Sequence, residues 1–124
     1  MSRQRVMVVD DSPTELKLLG STLREAGFEV LLESDAKRAI DAAKRDQPNL
    51  ILMDVVMPGL NGFQATRTLK RDAQTAGIPI IVVSSKAQET DRLWALRQGA
   101  SEYLVKPVLA DNLLQTVKRV LDAA

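Results

Sequence analysis

Neither cysteine nor histidine occurs anywhere in the 124 residues. Without cysteine there is no disulfide, no thiolate nucleophile and no zinc site of the cysteine-rich type. Without histidine there is no Ser-His-Asp triad, no imidazole metal ligand and no phosphohistidine carried by the chain itself. Aromatic residues are scarce, with two Phe, one Tyr and one Trp, and 17 basic against 16 acidic residues leave a formal charge of +1. Such a surface has neither the phosphate-neutralising excess nor the stacking platform that nucleic-acid binding needs, so no nucleic acid is expected as a partner. No apolar run approaches the ~18 residues of a membrane span, and the one near the N-terminus is far shorter than a signal-peptide core. A cytoplasmic protein with no membrane insertion is expected, its chemistry confined to carboxylates, hydroxyls and lysine.

What is present is an ordinary globular balance, 45% hydrophobic and 27% charged, in a length that suits one domain over residues 1–124. Five apolar runs, Val6–Val9, Phe28–Leu32, Leu50–Met53, Ile78–Val83 and Tyr103–Val105, alternate with five amphipathic stretches, Pro13–Ala26, Ala36–Asp46, Gly62–Asp72, Gln88–Gln98 and Ala110–Ala123. The first, third and fourth runs are nearly continuously apolar and β-branched, which suits strands covered on both faces, whereas the second and fifth read as peripheral. Gly27 and Gly99 stand where helices want a left-handed C-terminal residue, and Pro48 ends another helix. The alternation predicts an α/β fold, (βα)5, with right-handed crossovers.

The first run meets its helix in Val6-Met7-Val8-Val9-Asp10-Asp11-Ser12-Pro13-Thr14-Glu15. Ser12 reads as the N-cap, Pro13 as the first helical residue and Glu15 as the partner in a capping box, which leaves Asp10 and Asp11 surplus to the cap. Taken alone, the two acids need be no more than favourable charges at a helix N-terminus, worth about 0.3–1 kcal/mol each. In an open parallel sheet, however, all strands end at one edge, where ligands bind. Run three ends in Asp54, run four in Ser84-Ser85 and run five in Lys106-Pro107, so three acids, a hydroxyl and an amine converge there. Two like charges about 4 Å apart repel by about 4 kcal/mol at an effective dielectric near 20, so the cluster requires a cation or a proton. Oxygen ligands without His or Cys suit a hard ion, and so few protein ligands favour Mg²⁺ over Ca²⁺, leaving positions for water and phosphate oxygens.

The segments VMVVDDSPTE, LILMDVVMPGLNGFQATR, IPIIVVSS and GASEYLVKP together resemble response-regulator receiver domains of the chemotaxis-regulator type, over essentially the whole chain. The wording of DSPTE, VMPGLNGFQATR and KAQETDRLWALRQGASEYLVKPV is further similar to stand-alone receivers of type IV pilus chemosensory systems, which regulate twitching motility. The resemblance implies a doubly wound five-stranded parallel sheet in the flavodoxin-like order 2-1-3-4-5. It makes Asp54 the phosphoacceptor, taking its phosphoryl group from a histidine kinase of a chemosensory system. It makes Asp10, Asp11, Asp54 and the backbone carbonyl of Val56 the Mg²⁺ ligands, with Mn²⁺ able to substitute. Lys106 and Ser84 would bind the phosphoryl oxygens, Tyr103 would turn inward with Ser84 as part of the switch, and the Lys106–Pro107 peptide would be cis. The implied output face is the fourth helix, fifth strand and fifth helix, docking a downstream protein. The domain would be no enzyme beyond self-phosphorylation from small donors and self-dephosphorylation.

Several residues carry two readings. Val56 and Lys86 flank the site two positions after Asp54 and Ser84; an apolar Val56 cannot position a hydrolytic water, so self-dephosphorylation that is not especially fast is expected, unless Lys86 draws water or phosphate in. Trp94, beside an expected buried stripe of Leu93, Leu96 and Ala100, reads as core filler first and as a partner anchor, with Tyr103, second. Gly59 and Gly62 read as loop geometry, with Met57-Pro58 shaping the loop's entry. A phosphatase would share the residue types, but five βα units leave no room for a substrate cap. A receiver that acts as a phosphate sink and a phosphorylation-independent adaptor are the two remaining rivals to a switch with its own output.

Overall fold

The computed structural model describes residues 3–124; Met1 and Ser2, the start of the expected 1–124 domain, lie outside the described residues. Strands β1 (Arg5–Val9), β2 (Glu29–Glu33), β3 (Leu50–Met53), β4 (Ile80–Ser84) and β5 (Glu102–Val105) alternate with helices α1 (Pro13–Glu25), α2 (Ala36–Asp46), α3 (Gly62–Arg71), α4 (Glu89–Arg97) and α5 (Ala110–Ala123). The sheet is parallel throughout in the order β2-β1-β3-β4-β5, the flavodoxin-like arrangement. The two runs that read as peripheral are its edges.

Period-2 alternation sends neighbouring residues of one strand to opposite layers. Val6 and Val8 join Leu50, Leu52, Ile81 and Val83 beneath α1 and α5, where Leu19, Leu23, Leu113 and Val117 complete the cluster. Met7 and Val9 join Ile51, Met53 and Ile80 on the other face. There the buried residues of α2 are all alanines, Ala36, Ala39, Ala42 and Ala43, which let its backbone lie close to the sheet with half-buried Ile40 packed at the edge, while α3 adds Ala65 and Leu69. With both faces of β1, β3 and β4 covered, truncating a central residue such as Ile51 would cost about 2–5 kcal/mol.

Most boundaries shift by a residue or two from their expected places, and three of the shifts have a clear hydrogen-bonding reason. Phe28 is not a strand residue, because its N–H donates back to Leu23 O at 3.1 Å and closes the turn after α1. The fourth strand begins at Ile80, since Ile78 N–H is used by Thr75 O at 3.0 Å and Pro79 has no N–H to give. Ser84 is the last strand residue of β4, its carbonyl accepting from Lys106 N at 2.8 Å. Gly27 and Gly99 have φ of 97° and 109°, the left-handed conformation expected at those two helix ends. Gln47, before Pro48, is left-handed at φ 46°, its side-chain amide donating to Gln74 O at 2.9 Å.

Helix α4 departs from expectation. Its buried helical residue is Ala95, whereas Leu93 is 50% and Trp94 48% exposed. Ala95 lies in a small cluster with Val55, Val82, Ala100 and Tyr103, against which Phe63 packs. Phe63 and Tyr103 already occupy the space beneath the helix, so a methyl side chain fits there, and the helix turns Leu93 and Trp94 outward. The reading of Leu93 as buried stripe and Trp94 as core filler is therefore corrected, although Ala100 is buried as expected.

Candidate functional site

The strand ends are set by the sheet's own ladder. Asp10 N–H donates to Glu33 O at 3.1 Å, Asp54 N–H to Val9 O at 2.9 Å and Lys106 N–H to Ser84 O at 2.8 Å. These bonds place the first residue beyond β1, β3 and β5 at the same edge, which is why acids and lysine distant in sequence meet. One carboxylate oxygen from each of Asp10, Asp11 and Asp54 lies within 4.8 Å of the others. Asp10 and Asp54 are buried, at 1% and 7% exposure, while Asp11 is exposed.

Lys106 Nζ donates to Asp10 Oδ2 at 2.7 Å and to Asp54 Oδ1 at 3.3 Å. Burial pulls its ammonium toward the neutral form, but the bonds and charges of Asp10 and Asp54 outweigh this and leave its pKa above the ordinary lysine value. Asp54 shifts upward, first because burial disfavours its charge and second because Asp10 repels it, with Lys106 opposing both. Three carboxylates facing one ammonium leave two negative charges, the deficit a divalent cation would fill.

Asp10 is not surplus to the helix cap. Ser12 Oγ accepts from Glu15 N at 3.3 Å, as an N-cap should, but the reciprocal half of the expected capping box is absent: Ser12 N–H donates to Asp10 Oδ1 at 2.9 Å. Asp10 lies two residues before the N-cap and reaches its N–H through a short local turn, so Glu15 is not needed there. One carboxylate thus orients the start of α1 through one oxygen and Lys106 through the other.

The remaining positions separate into those at the cluster and those off it. Ser84 is fully buried, and its Oγ accepts from Lys86 N at 3.2 Å. Tyr103 is 8% exposed and its phenol donates to Lys86 O at 2.6 Å, so it points inward and is not on the surface. Burial raises the phenol above its ordinary range, keeping it a donor. The expectation that Tyr103 forms a partner surface with Trp94 is therefore corrected. Val56 is 57% exposed and, with Val55, Met57, Asn61, Phe63 and Lys86, lines a pocket of about 350 Å³ beside Asp54. The Lys106–Pro107 peptide is cis.

Gly62 is more than loop geometry. A Cβ there would fall 1.9 Å from the backbone oxygen of Asp54. Its N–H donates to Val55 O at 3.0 Å, and its carbonyl accepts from Thr66 Oγ1 at 2.8 Å. Asn61 caps α3 by accepting from Gln64 N at 2.9 Å, and the Gln64 side chain accepts from Asn61 N at 3.0 Å. The sequence signal was available in Asn61-Gly62 with Gln64 three residues after the cap; the close approach to Asp54 was not.

This geometry has relatives. The response regulator receiver domain matches residues 6–118. Protein PilH of Pseudomonas aeruginosa is 50% identical over 117 residues, covering 94% of this chain and 97% of that protein. The DNA-binding response regulator MtrA of Mycolicibacterium smegmatis is 34% identical over 94% of this chain, which spans 50% of that longer protein. Among solved structures, the chemotaxis protein CheY4 of Vibrio cholerae superposes with a TM-score of 0.91 at 29% identity, covering 96% of this chain and 99% of that one. The receiver domain of a Pseudomonas aeruginosa sensor histidine kinase, solved with a magnesium ion coordinated in its active-site cleft, superposes with a TM-score of 0.90 at 30% identity, covering 98% and 99%. With strand order, acidic cluster and sequence in agreement, this chain belongs to the response regulator receiver domain family.

Proposed function

We propose that the chain is a stand-alone response regulator whose Asp54 accepts a phosphoryl group from a histidine kinase, in signalling of the pilus or chemotaxis type. The observation that carries this reading is the convergence of Asp10, Asp11 and Asp54 within 4.8 Å, with Lys106 bridging two of them. The pilus assignment is supported by the 50% identity to PilH over nearly the full length of both proteins.

The donor set is all oxygen and carries an uncompensated double negative charge, which fits Mg²⁺, with Mn²⁺ as a substitute of similar chemistry. Asp11, exposed and outside the Lys106 contacts, is the most available ligand; Asp10, Asp54 and the Val56 carbonyl complete the protein's share. Bound there, the ion supplies charge neutralisation for the incoming phosphoryl oxygens. Asp54 attacks phosphorus along the line of the breaking P–N bond, a carboxylate oxygen forms the new O–P bond, and the imidazole nitrogen departs with the electron pair. Lys106 then exchanges Asp54 for a phosphoryl oxygen while keeping Asp10. Ser84 turns its hydroxyl from Lys86 N–H to donate to another oxygen, which loosens the loop that Tyr103 also holds. Contacts made only after phosphorylation favour one conformation over the other, which is what a switch requires. The downstream protein is read to dock on the α4, β5 and α5 face.

The test is intact-protein mass after incubation with a small-molecule phosphodonor, with and without Mg²⁺, for wild type and Asp54→Asn. One phosphoryl adduct that needs both Mg²⁺ and Asp54 is expected. No adduct in folded protein under any condition would replace this reading with a phosphorylation-independent adaptor. An adduct that forms yet leaves partner binding unchanged would favour a phosphate sink.

A further inference from the structure

Helix α4 leaves its two largest apolar side chains in solvent. Leu93 and Trp94 are half exposed, and with Thr90 and Arg97 they line a shallow groove of about 270 Å³ formed by α4 residues alone. Single exposed leucines are ordinary, but an adjacent Leu-Trp pair beside a groove is the sort of anchor that interfaces use.

Helical rotation fixes which way this groove looks. On α3, Phe63 packs against the Ala95 cluster and the Lys70 side chain lies against Gly99, so the stripe of residues 63, 67 and 70 faces α4 and includes Arg67. Both helices follow parallel strands by crossovers on the same face of the sheet and run in the same direction, so the flank of α4 facing α3 lies in the opposite sense of rotation. Trp94, about 100° back from buried Ala95, falls on that flank, with Thr90 and Arg97 just outside it. The Trp94 edge of the groove therefore faces α3, while Leu93, about 160° from Ala95, looks straight out into solvent.

The surroundings are cationic. Between Gly62 and Arg71, α3 carries Arg67, Lys70 and Arg71 and no acid. On α4 the acids Glu89 and Asp91 are confined to the first turn, and Glu89 is paired to Arg92 at 3.3 Å. Asp72 turns the other way, to Lys44 on α2 at 3.0 Å. Arg67, Arg71 and Arg97 are exposed and join no ion pair among the described residues. Complementing helix dipoles accounts for a basic residue in each last turn. It accounts neither for Arg67 in mid-helix nor for the exposed Leu-Trp pair beside these charges. In a chain of net charge +1 this is a local asymmetry.

We propose that the α3–α4 face, with Trp94 as its apolar anchor and Arg67 and Arg97 as its charged flank, docks an acidic amphipathic segment of a partner protein. An apolar stripe at helical spacing meets Leu93 and Trp94, and carboxylates beside it meet the unpaired Arg67 and Arg97. A membrane-inserting helix would need a broader apolar face, and duplex DNA offers no apolar partner for the Leu-Trp pair. The proposal does not rest on phosphoryl chemistry at Asp54, and its anchor Trp94 lies on the flank of α4 away from β5.

The test uses the full chain and a labelled synthetic helix of about 16 residues, with Leu at i, i+3, i+4 and i+7 and Glu elsewhere on its flanks, against the same peptide with Lys for every Glu. Fluorescence anisotropy gives the affinity, and the emission of Trp94, the only tryptophan, reports its burial. Saturable binding of the acidic peptide with a shift in Trp94 emission is expected, at least about tenfold weaker for Trp94→Ala and for the Arg67→Glu/Arg97→Glu double variant at unchanged melting temperature. The basic peptide should not bind. Absence of binding, or binding that these variants leave intact, would overturn the proposal. So would tighter binding of a short DNA duplex or of phosphatidylglycerol vesicles to the same residues, since the occupant would then be another polyanion.

Discussion

Lys106 lies closer to Asp10 than to Asp54: its Nζ is 2.7 Å from Asp10 Oδ2 and 3.3 Å from Asp54 Oδ1. The buried acid that also orients the cap of α1 is thus the firmer anchor for the lysine, and the contact with Asp54 is the longer one, the one available for exchange. A lysine tethered by Asp10 stays at the strand edge whichever anion lies beside Asp54.

Replacing that lysine by an apolar residue should therefore cost more than a surface charge does. Lys106→Met leaves two buried carboxylates without their cation, and a loss of about 3 kcal/mol in denaturant unfolding at neutral pH is expected. The sign follows from the raised pKa of Lys106: its contribution is fully present below its ordinary value of 10.5 and fades as pH rises through its higher folded value. Wild type should lose stability in that alkaline window, and Lys106→Met should not. Equal stability of the two proteins at pH 7 would refute the bridging role.

Asp54 gives the opposite sign. Its folded pKa is raised by burial and by Asp10, so the folded state holds this proton more tightly than the unfolded chain does. Folding is penalised above the raised value, and the penalty vanishes below the ordinary 3.8. Asp54→Asn should thus raise the melting temperature at pH 7 without metal, by on the order of 1 kcal/mol or about 3–6 °C for a domain of this size. The gain should disappear in acid and shrink when Mg²⁺ binds wild type. Calorimetry over a pH series with and without Mg²⁺ checks all three limbs.

Gly62→Ala sets a methyl against a backbone carbonyl, a contact that no rotamer change relieves. With the new Cβ 1.9 Å from Asp54 O, the β3–α3 loop has to shift. A loss of about 3 kcal/mol is expected, together with weaker Mg²⁺ binding by titration, because the atoms displaced belong to Asp54, the proposed phosphoacceptor. Gly59→Ala is the control: no atom lies within 4 Å of its Cβ, though its φ of 76° carries a backbone cost, so it should lose stability and leave Mg²⁺ affinity unaltered.

Trp94→Ala should change stability by no more than about 0.5 kcal/mol, as expected for a side chain that is 48% exposed. A loss several times larger, measured by chemical denaturation, would restore the core-filling role that the structure denies it.

Much of this molecule follows from the order of its residues. Strand and helix alternation, the buried centre at β1, β3 and β4, the edge positions of β2 and β5 and the identities of Asp10, Asp11, Asp54, Ser84 and Lys106 as strand-end residues are all written in short-range pattern. Apolar periodicity and cap chemistry act over a few residues, and the parallel-sheet rule converts strand ends into a common edge. What the tertiary structure decided depends on distances between segments remote in sequence. Asp10, held on the cap by a local turn, meets Lys106 because the sheet brings the ends of β1 and β5 to one edge. Gly62 meets the carbonyl of Asp54 because the loop after β3 folds back on itself. Phe63 and Tyr103 together fill the floor beneath α4, leaving room for Ala95 alone. That shared volume turned Leu93 and Trp94 outward, a choice that α4's own sequence, with apolar residues on several sides of the helix, leaves open.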